Sequence, residues 1–133
     1  MKEIKYNIPH FDSIVTLSAL FSAWCNFVHG KKSKEDVAEF ALNLYSNLEG
    51  LRLDLAHGTY QHGDYSYFKV NDPKERDIHK ASVRDRVVHH LLYSVLYPYF
   101  ERFLTYDSYS CRNNKGTHRA LRRFTQFAYA VSQ

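Results

Sequence analysis

Apolar residues recur at helical spacing in four stretches of this chain. Ile14, Leu17, Phe21, Trp24 and Val28 form one stripe and predict a helix over Phe11–Val28. Asp12 or Ser13 suits its start, and Gly30 its end. A second stripe joins Val37, Phe40, Ala41, Leu44, Leu48, Leu51 and Leu55. Ser33 and Asp36 have capping-box spacing ahead of it, and His57-Gly58 suits its C-terminus. Val83, Val87, Leu91 and Val95, with Val88, Leu92 and Leu96, predict a third helix from about Ser82 that Pro98 should kink or end. In the last helix, from Thr117 to about Val131, Ala120, Leu121, Phe124, Phe127, Ala128 and Val131 face one way. Arg119, Arg122, Arg123 and Gln126 face another.

Between the second and third helices the pattern changes. Tyr65 to Val70 is aromatic and β-favouring, Asp72-Pro73-Lys74-Glu75 is turn chemistry, and Arg76 to Lys80 suits a returning strand. The reading is mainly α with one β-hairpin, about four helices, in a single domain over residues 1–133. Thr105 to Lys115, rich in Asp, Ser, Asn and Lys, reads as a loop.

Charge sharpens this outline. Residues 1–73 carry seven Lys and Arg against nine Asp and Glu, whereas residues 74–133 carry eleven against five. No acidic residue follows Asp107, so carboxylate chemistry is excluded from the last 26 residues. The basic half suits a polyanionic partner. Two cysteines, Cys25 and Cys111, are too few for a disulfide framework or a thiolate zinc site. With no apolar run of membrane-spanning length and no signal peptide, a cytoplasmic protein with reduced thiols and no membrane partner is expected.

Candidate chemistry concentrates in three places. Lys74 and Arg76 flank the hairpin turn, where cations reach a triphosphate or a nucleic-acid backbone, although Glu75 and Asp77 partly neutralise it. Arg84-Asp85-Arg86-Val87-Val88-His89-His90 opens the third helix. Arg84 and His89 form an Arg-x4-His pattern that looks like the motif of helical HEPN ribonucleases, with His as acid–base group. In a plainer reading Asp85 orients a nearby arginine. Arg119, Arg122 and Arg123 give the last helix a basic face suited to phosphates or simply to solvent. No metal site and no Gly-rich phosphate loop is recognisable.

Taken together, these blocks resemble the fingers region of bacterial reverse transcriptases, the RNA-directed DNA polymerases of group II introns and diversity-generating retroelements. The resemblance rests on Gly58-Thr59-Tyr60, Asp72-Pro73-Lys74, Arg76-x-Ile78, Arg84 to Leu91, and Asp107 to Leu121, and it spans roughly residues 36–125. It implies the fingers part of a right-hand polymerase. It assigns Lys74 and Arg76 to the incoming nucleoside triphosphate, and Arg84, Arg86, Arg112, Lys115 and His118 to template, primer or fingers structure. Arg119, Arg122 and Arg123 would extend that surface. RNA template, DNA primer and dNTP are the implied partners. The two magnesium ions of such enzymes are held by palm aspartates in later segments, and this chain has no Asp-Asp pair. No cofactor and no polymerisation are therefore expected of this chain alone. A homodimer through surface meant for the palm, involving Tyr97, Phe100, Phe103 or Phe127, is a further expectation. The alternatives are a HEPN-like ribonuclease using Arg84 and His89, or a non-catalytic nucleic-acid-binding module.

Overall fold

A computed structural model describes residues 9–132. The fold is mainly α with one antiparallel hairpin. In chain order the elements are α1 (Phe11–Ile14), α2 (Leu17–Val28), α3 (Glu35–Leu42), α4 (Leu44–His57), β1 (Ser66–Asn71), β2 (Glu75–Lys80), α5 (Val83–Glu101) and α6 (Thr117–Val131). The chain divides into two compact units, the boundary falling between Leu96 and Tyr97.

The first unit holds the core. Leu20, Trp24 and Phe27 of α2, Val37 of α3, Leu48 and Leu51 of α4, and Val83, Val87 and Leu91 of α5 are buried together. Trp24 stacks on Phe40 with ring centroids 5.3 Å apart. The expected α2 stripe is rotated: Leu20 is fully buried, while Phe21 is half exposed. Both positions are apolar, so periodicity alone left the face ambiguous by one residue.

Both expected N-terminal helices are broken in two. Ile14-Val15-Thr16 is a β-branched run that disfavours helix. Thr16 then takes extended backbone and caps α2, accepting a hydrogen bond from the Ala19 N–H at 3.2 Å. Asn43 divides α3 from α4, and Asn47 Nδ2 donates to the Phe40 carbonyl at 2.9 Å, partnering a carbonyl at the break. Gly58, at φ +68°, closes α4 in the left-handed conformation that favours glycine.

The side-chain cap lies elsewhere than expected. Lys34, with no side-chain cap bond, precedes α3. Instead, the Asp85 N–H donates to Ser82 Oγ at 3.1 Å, and Ser82 Oγ–H donates to the Asp85 carboxylate at 2.6 Å. α5 continues past Pro98 to Glu101. Pro98 gives up its own N–H bond to the carbonyl four residues back, and the helix runs only three residues beyond it.

In the hairpin, Tyr67 pairs with His79, Lys69 with Asp77 and Asn71 with Glu75, so these share one face. Phe68, Val70, Arg76 and Ile78 share the other.

The second unit comprises the end of α5, the loop to Gly116, and α6. The N-cap of α6 is Gly116 rather than Thr117, with no side-chain cap bond. No residue of α6 is buried. Its apolar stripe stays open: Leu121 is 59%, Phe124 70% and Val131 86% exposed. Phe100, Phe103 and Phe127 are exposed as well. Among the described residues no helix is long and apolar enough to cross a membrane.

Candidate nucleic-acid interface

The cations named from the sequence sort by whether an in-chain partner already holds them. Around α5 they are held. Arg84 Nη2 pairs with the Asp54 carboxylate, and its guanidinium lies 5.1 Å from the centre of the Tyr60 ring. Arg86 Nη2 pairs with Asp36 at 2.5 Å and lies over the Phe27 ring at 4.9 Å. Lys80 Nζ reaches the same Asp36 at 2.7 Å. Partial burial pushes the Asp36 carboxyl up, but the hydrogen bonds and charges of Lys80 and Arg86 outweigh it, so its pKa lies below the usual carboxylate range. Arg84 and Arg86 thus fasten α5 to α4 and α3.

Asp85 orients no arginine. It is 1% exposed and fully engaged: Tyr60 O–H donates at 2.7 Å, Ser82 O–H at 2.6 Å and the Gly63 N–H at 3.2 Å. Burial raises its pKa, yet these three bonds and the nearby His62 bring it below the ordinary value. Tyr60 is pushed up to about 12, by burial first and by the Asp85 bond second. Asp85 therefore clamps the segment after α4 onto the start of α5. His62 completes the contact by stacking on His89 at 5.4 Å and on Tyr65 at 5.0 Å. Arg84 and His89 lie roughly 140° apart around the helix, each with a different partner, so the structure does not bring the ribonuclease-like pair together.

The hairpin cations are open. Lys74 lies in the turn and Arg76 on β2 opposite Val70; both are exposed, and neither makes an ion pair among the described residues. The acids beside them turn to the other face. Glu75 takes Lys69 at 2.5 Å, and Asp77 accepts from Tyr67 O–H at 2.6 Å. The neutralisation expected from the sequence is thus absorbed by Lys69, a partner that reading overlooked. Strand alternation was the available signal, since Lys69 and Asp77 share a face while Arg76 does not.

In the second unit, Arg112 is spent on structure. Its Nε and Nη2 donate to the Glu101 carboxylate at 2.6–3.1 Å, and Nη1 donates to the Thr105 and Ser108 carbonyls at 2.6 and 3.0 Å. The Arg112 hydrogen bond, ahead of a smaller opposing burial effect, holds Glu101 below its ordinary pKa. Arg123 pairs with Asp107 at 2.9 Å and lies over the Phe127 ring at 4.3 Å.

What remains is a basic cleft of about 290 Å³ beside α6, lined by Lys115, Arg119, Arg122 and Arg123. Tyr106, Tyr109 and Gln126 complete its walls. Lys115 lies over Tyr106 at 4.2 Å and Tyr109 at 5.2 Å. Arg119 Nη1 donates to the Asn114 carbonyl at 2.5 Å, and Arg119 makes no ion pair among the described residues. Arg122 makes no ion pair among the described residues, and His118 is exposed on the same helix. Asp107, the nearby carboxylate, is committed to Arg123, whose hydrogen bond is the main cause of its lowered pKa. Guanidinium and ammonium groups interleaved with exposed phenol rings can grip phosphates and stack bases. The two tyrosines were missed from the sequence because they lie in the loop, eight or more residues ahead of α6.

No protein-family model matches the chain, and no curated protein matches it.

Proposed function

We propose that this chain is the fingers part of an RNA-directed DNA polymerase, in which it contacts nucleic acid and incoming nucleotide without itself catalysing transfer. The observation that carries the reading is the segregation of its cations. Those held by partners build the fold, while Lys74, Arg76, Lys115, Arg119 and Arg122 have no carboxylate partner among the described residues. They form two cationic sites, one in each unit. In the hairpin, Lys74 and Arg76 supply a point charge and a planar fork for a polyphosphate. In the cleft, Lys115, Arg119 and Arg122 meet the nucleic-acid backbone while Tyr106 and Tyr109 offer ring faces to bases.

Two further features support the reading. Tyr60 and Asp85, drawn from separate blocks of the reverse-transcriptase resemblance, are direct partners. The open apolar face of α6 suits a polypeptide that continues into a further domain. Magnesium in such an enzyme would be held by palm aspartates, and this sequence has no Asp-Asp pair, so no metal-dependent step is assigned to it.

The test is fluorescence anisotropy with a labelled single-stranded RNA, titrated at low and high salt. Binding that weakens steeply with salt, and is lost in a combined Arg119→Ala and Arg122→Ala variant, is expected. Absence of binding at low salt would sink the proposal. RNA cleavage that His89→Ala abolishes would favour the ribonuclease instead.

A further inference from the structure

Four cations line the cleft beside α6, and most of them are held without being neutralised. Arg119, Arg122 and Arg123 come from one face of α6, spanning about 100° of its circumference. Lys115 comes from the loop ahead of it. Lys115 Nζ donates to the Tyr106 carbonyl and lies against the Tyr106 and Tyr109 rings. Arg119 Nη1 donates to the Asn114 carbonyl. A carbonyl or a ring face fixes the position of a cation but leaves its formal charge whole. Of the four, only Arg123 pairs with a carboxylate among the described residues, that of Asp107. The cleft therefore carries three positive charges beyond the one its acid balances. Its donors are also largely unspent. Lysine has three N–H donors and arginine five, and Lys115 and Arg119 each give one to a carbonyl.

Resting on the nucleic-acid reading of the same cleft, we propose that it receives a terminal phosphate, the phosphomonoester at the 5′ end of an RNA strand, in preference to an internal phosphodiester. A phosphomonoester carries about −1.5 to −2 charge near pH 7 and presents three strong acceptor oxygens. An internal diester carries a single charge and has two of its oxygens tied up in ester bonds. Cations gathered in one cleft repel one another, and a dianion offsets more of that repulsion than a monoanion does. Three oxygens also use more of the open donors, with the planar forks of Arg119 and Arg122 and the point charge of Lys115 approaching from different directions.

Size points the same way. At about 290 Å³ the cleft lies at the small end of ligand sites, which begin near 300 Å³. It has room for one phosphorylated unit rather than for a run of backbone. Tyr106 and Tyr109 on its wall suit the first base of the strand.

Fluorescence anisotropy tests this with one short single-stranded RNA, labelled at its 3′ end and carrying three different 5′ ends: phosphate, methylphosphate and hydroxyl. The methyl group turns the monoester into a diester of nearly the same size, so it removes charge and leaves shape. The phosphate end is expected to bind at least about tenfold tighter than either of the others, the effect of one hydrogen bond to a charged group. Arg122→Ala should cut that preference to less than about threefold while weaker, salt-dependent binding of all three strands persists. Circular dichroism of the variant establishes that the helices persist. Free uridine 5′-monophosphate should displace the RNA only at concentrations at least about tenfold above those of the phosphorylated strand. Equal binding of the three ends overturns the terminal-phosphate assignment and leaves the nucleic-acid reading standing. Methylphosphate binding as tightly as phosphate overturns it too, as does a preference that Arg122→Ala leaves intact. Uridine 5′-monophosphate as effective as the strand overturns the strand-end source in favour of a free nucleotide. Failure of every strand to bind at low salt sinks this assignment and the nucleic-acid reading together.

Discussion

The Tyr60 hydroxyl donates a 2.7 Å hydrogen bond to the buried Asp85 carboxylate. It thereby joins the segment that leaves α4 to the first turn of α5, across 25 residues of sequence. The carboxylate also accepts from Ser82 O–H, and Ser82 Oγ in turn caps the Asp85 N–H, so this pair ties the start of α5 to the preceding segment. Tyr60→Phe removes one bond to a charged group and is expected to cost about 1.5–3 kcal/mol. Asp85→Ala strands three donors, the Tyr60 and Ser82 hydroxyls and the Gly63 N–H, and should cost about 2–4 kcal/mol. Urea denaturation of both variants, with an unchanged m-value, checks the ranking.

Acid stability follows from the same carboxylates. Asp85 and Asp36 have folded pKa values below their ordinary ones. Groups shifted downward contribute stability above the unfolded value, near 4, and that contribution is lost as pH falls through the folded values. Tyr60 is shifted the other way, so its contribution holds up to about pH 10 and is lost as pH rises towards about 12. Melting temperature should therefore fall below about pH 4, and phenolate absorbance should show a late step from Tyr60, with Tyr67 and Tyr109 also shifted upward. In Asp85→Asn the late phenolate step should move earlier.

Arg112 and Arg122 should behave oppositely, although both are basic residues of the same short stretch. Arg112→Ala is expected to lower the melting temperature and loosen residues 105–115 in amide exchange. Arg112→Lys should not rescue it, because an ammonium cannot span a carboxylate and two carbonyls at once. Arg122→Ala should leave melting unchanged while reducing the salt dependence of RNA binding by about one unit of slope.

The apolar residues of the two units should also respond differently to substitution. Phe27 is 1% exposed and carries its ring under the Arg86 guanidinium, so Phe27→Ala should cost about 3–5 kcal/mol. Phe124 is 70% exposed, and Phe124→Ser should change stability by no more than about 0.5 kcal/mol. The same substitution should reduce binding of an apolar fluorescent dye. Equal losses of stability at both positions would contradict the open face of α6.

The hairpin, the α5 core stripe and the Gly30 and Gly58 termini were legible because each rests on local chemistry: strand alternation, helical period and positive φ. Other features depended on distant partners. Ser33 and Asp36 carry the spacing of a cap, but Asp36 gains more from Lys80 and Arg86, more than forty residues away, than from its own helix. Arg84, Arg86 and Arg112 read as free cations because their acids, Asp54, Asp36 and Glu101, lie from 11 to 50 residues away. Charge content was readable; charge pairing was not. The α6 stripe was read correctly as amphipathic, and only the structure shows that nothing among the described residues covers it.

The Asp36–Arg86 pair closes a loop of fifty residues. Loop closure of that length carries an entropic cost that must be met before the contact contributes, so such pairs form late in folding. The hairpin, whose strands meet within the sequence 66–80, needs no such wait. Asp36→Asn should therefore speed unfolding while leaving the folding rate almost untouched. A nascent chain would carry a formed hairpin, with Lys74 and Arg76 at its turn, before Asp36 ties Lys80 and Arg86 into place.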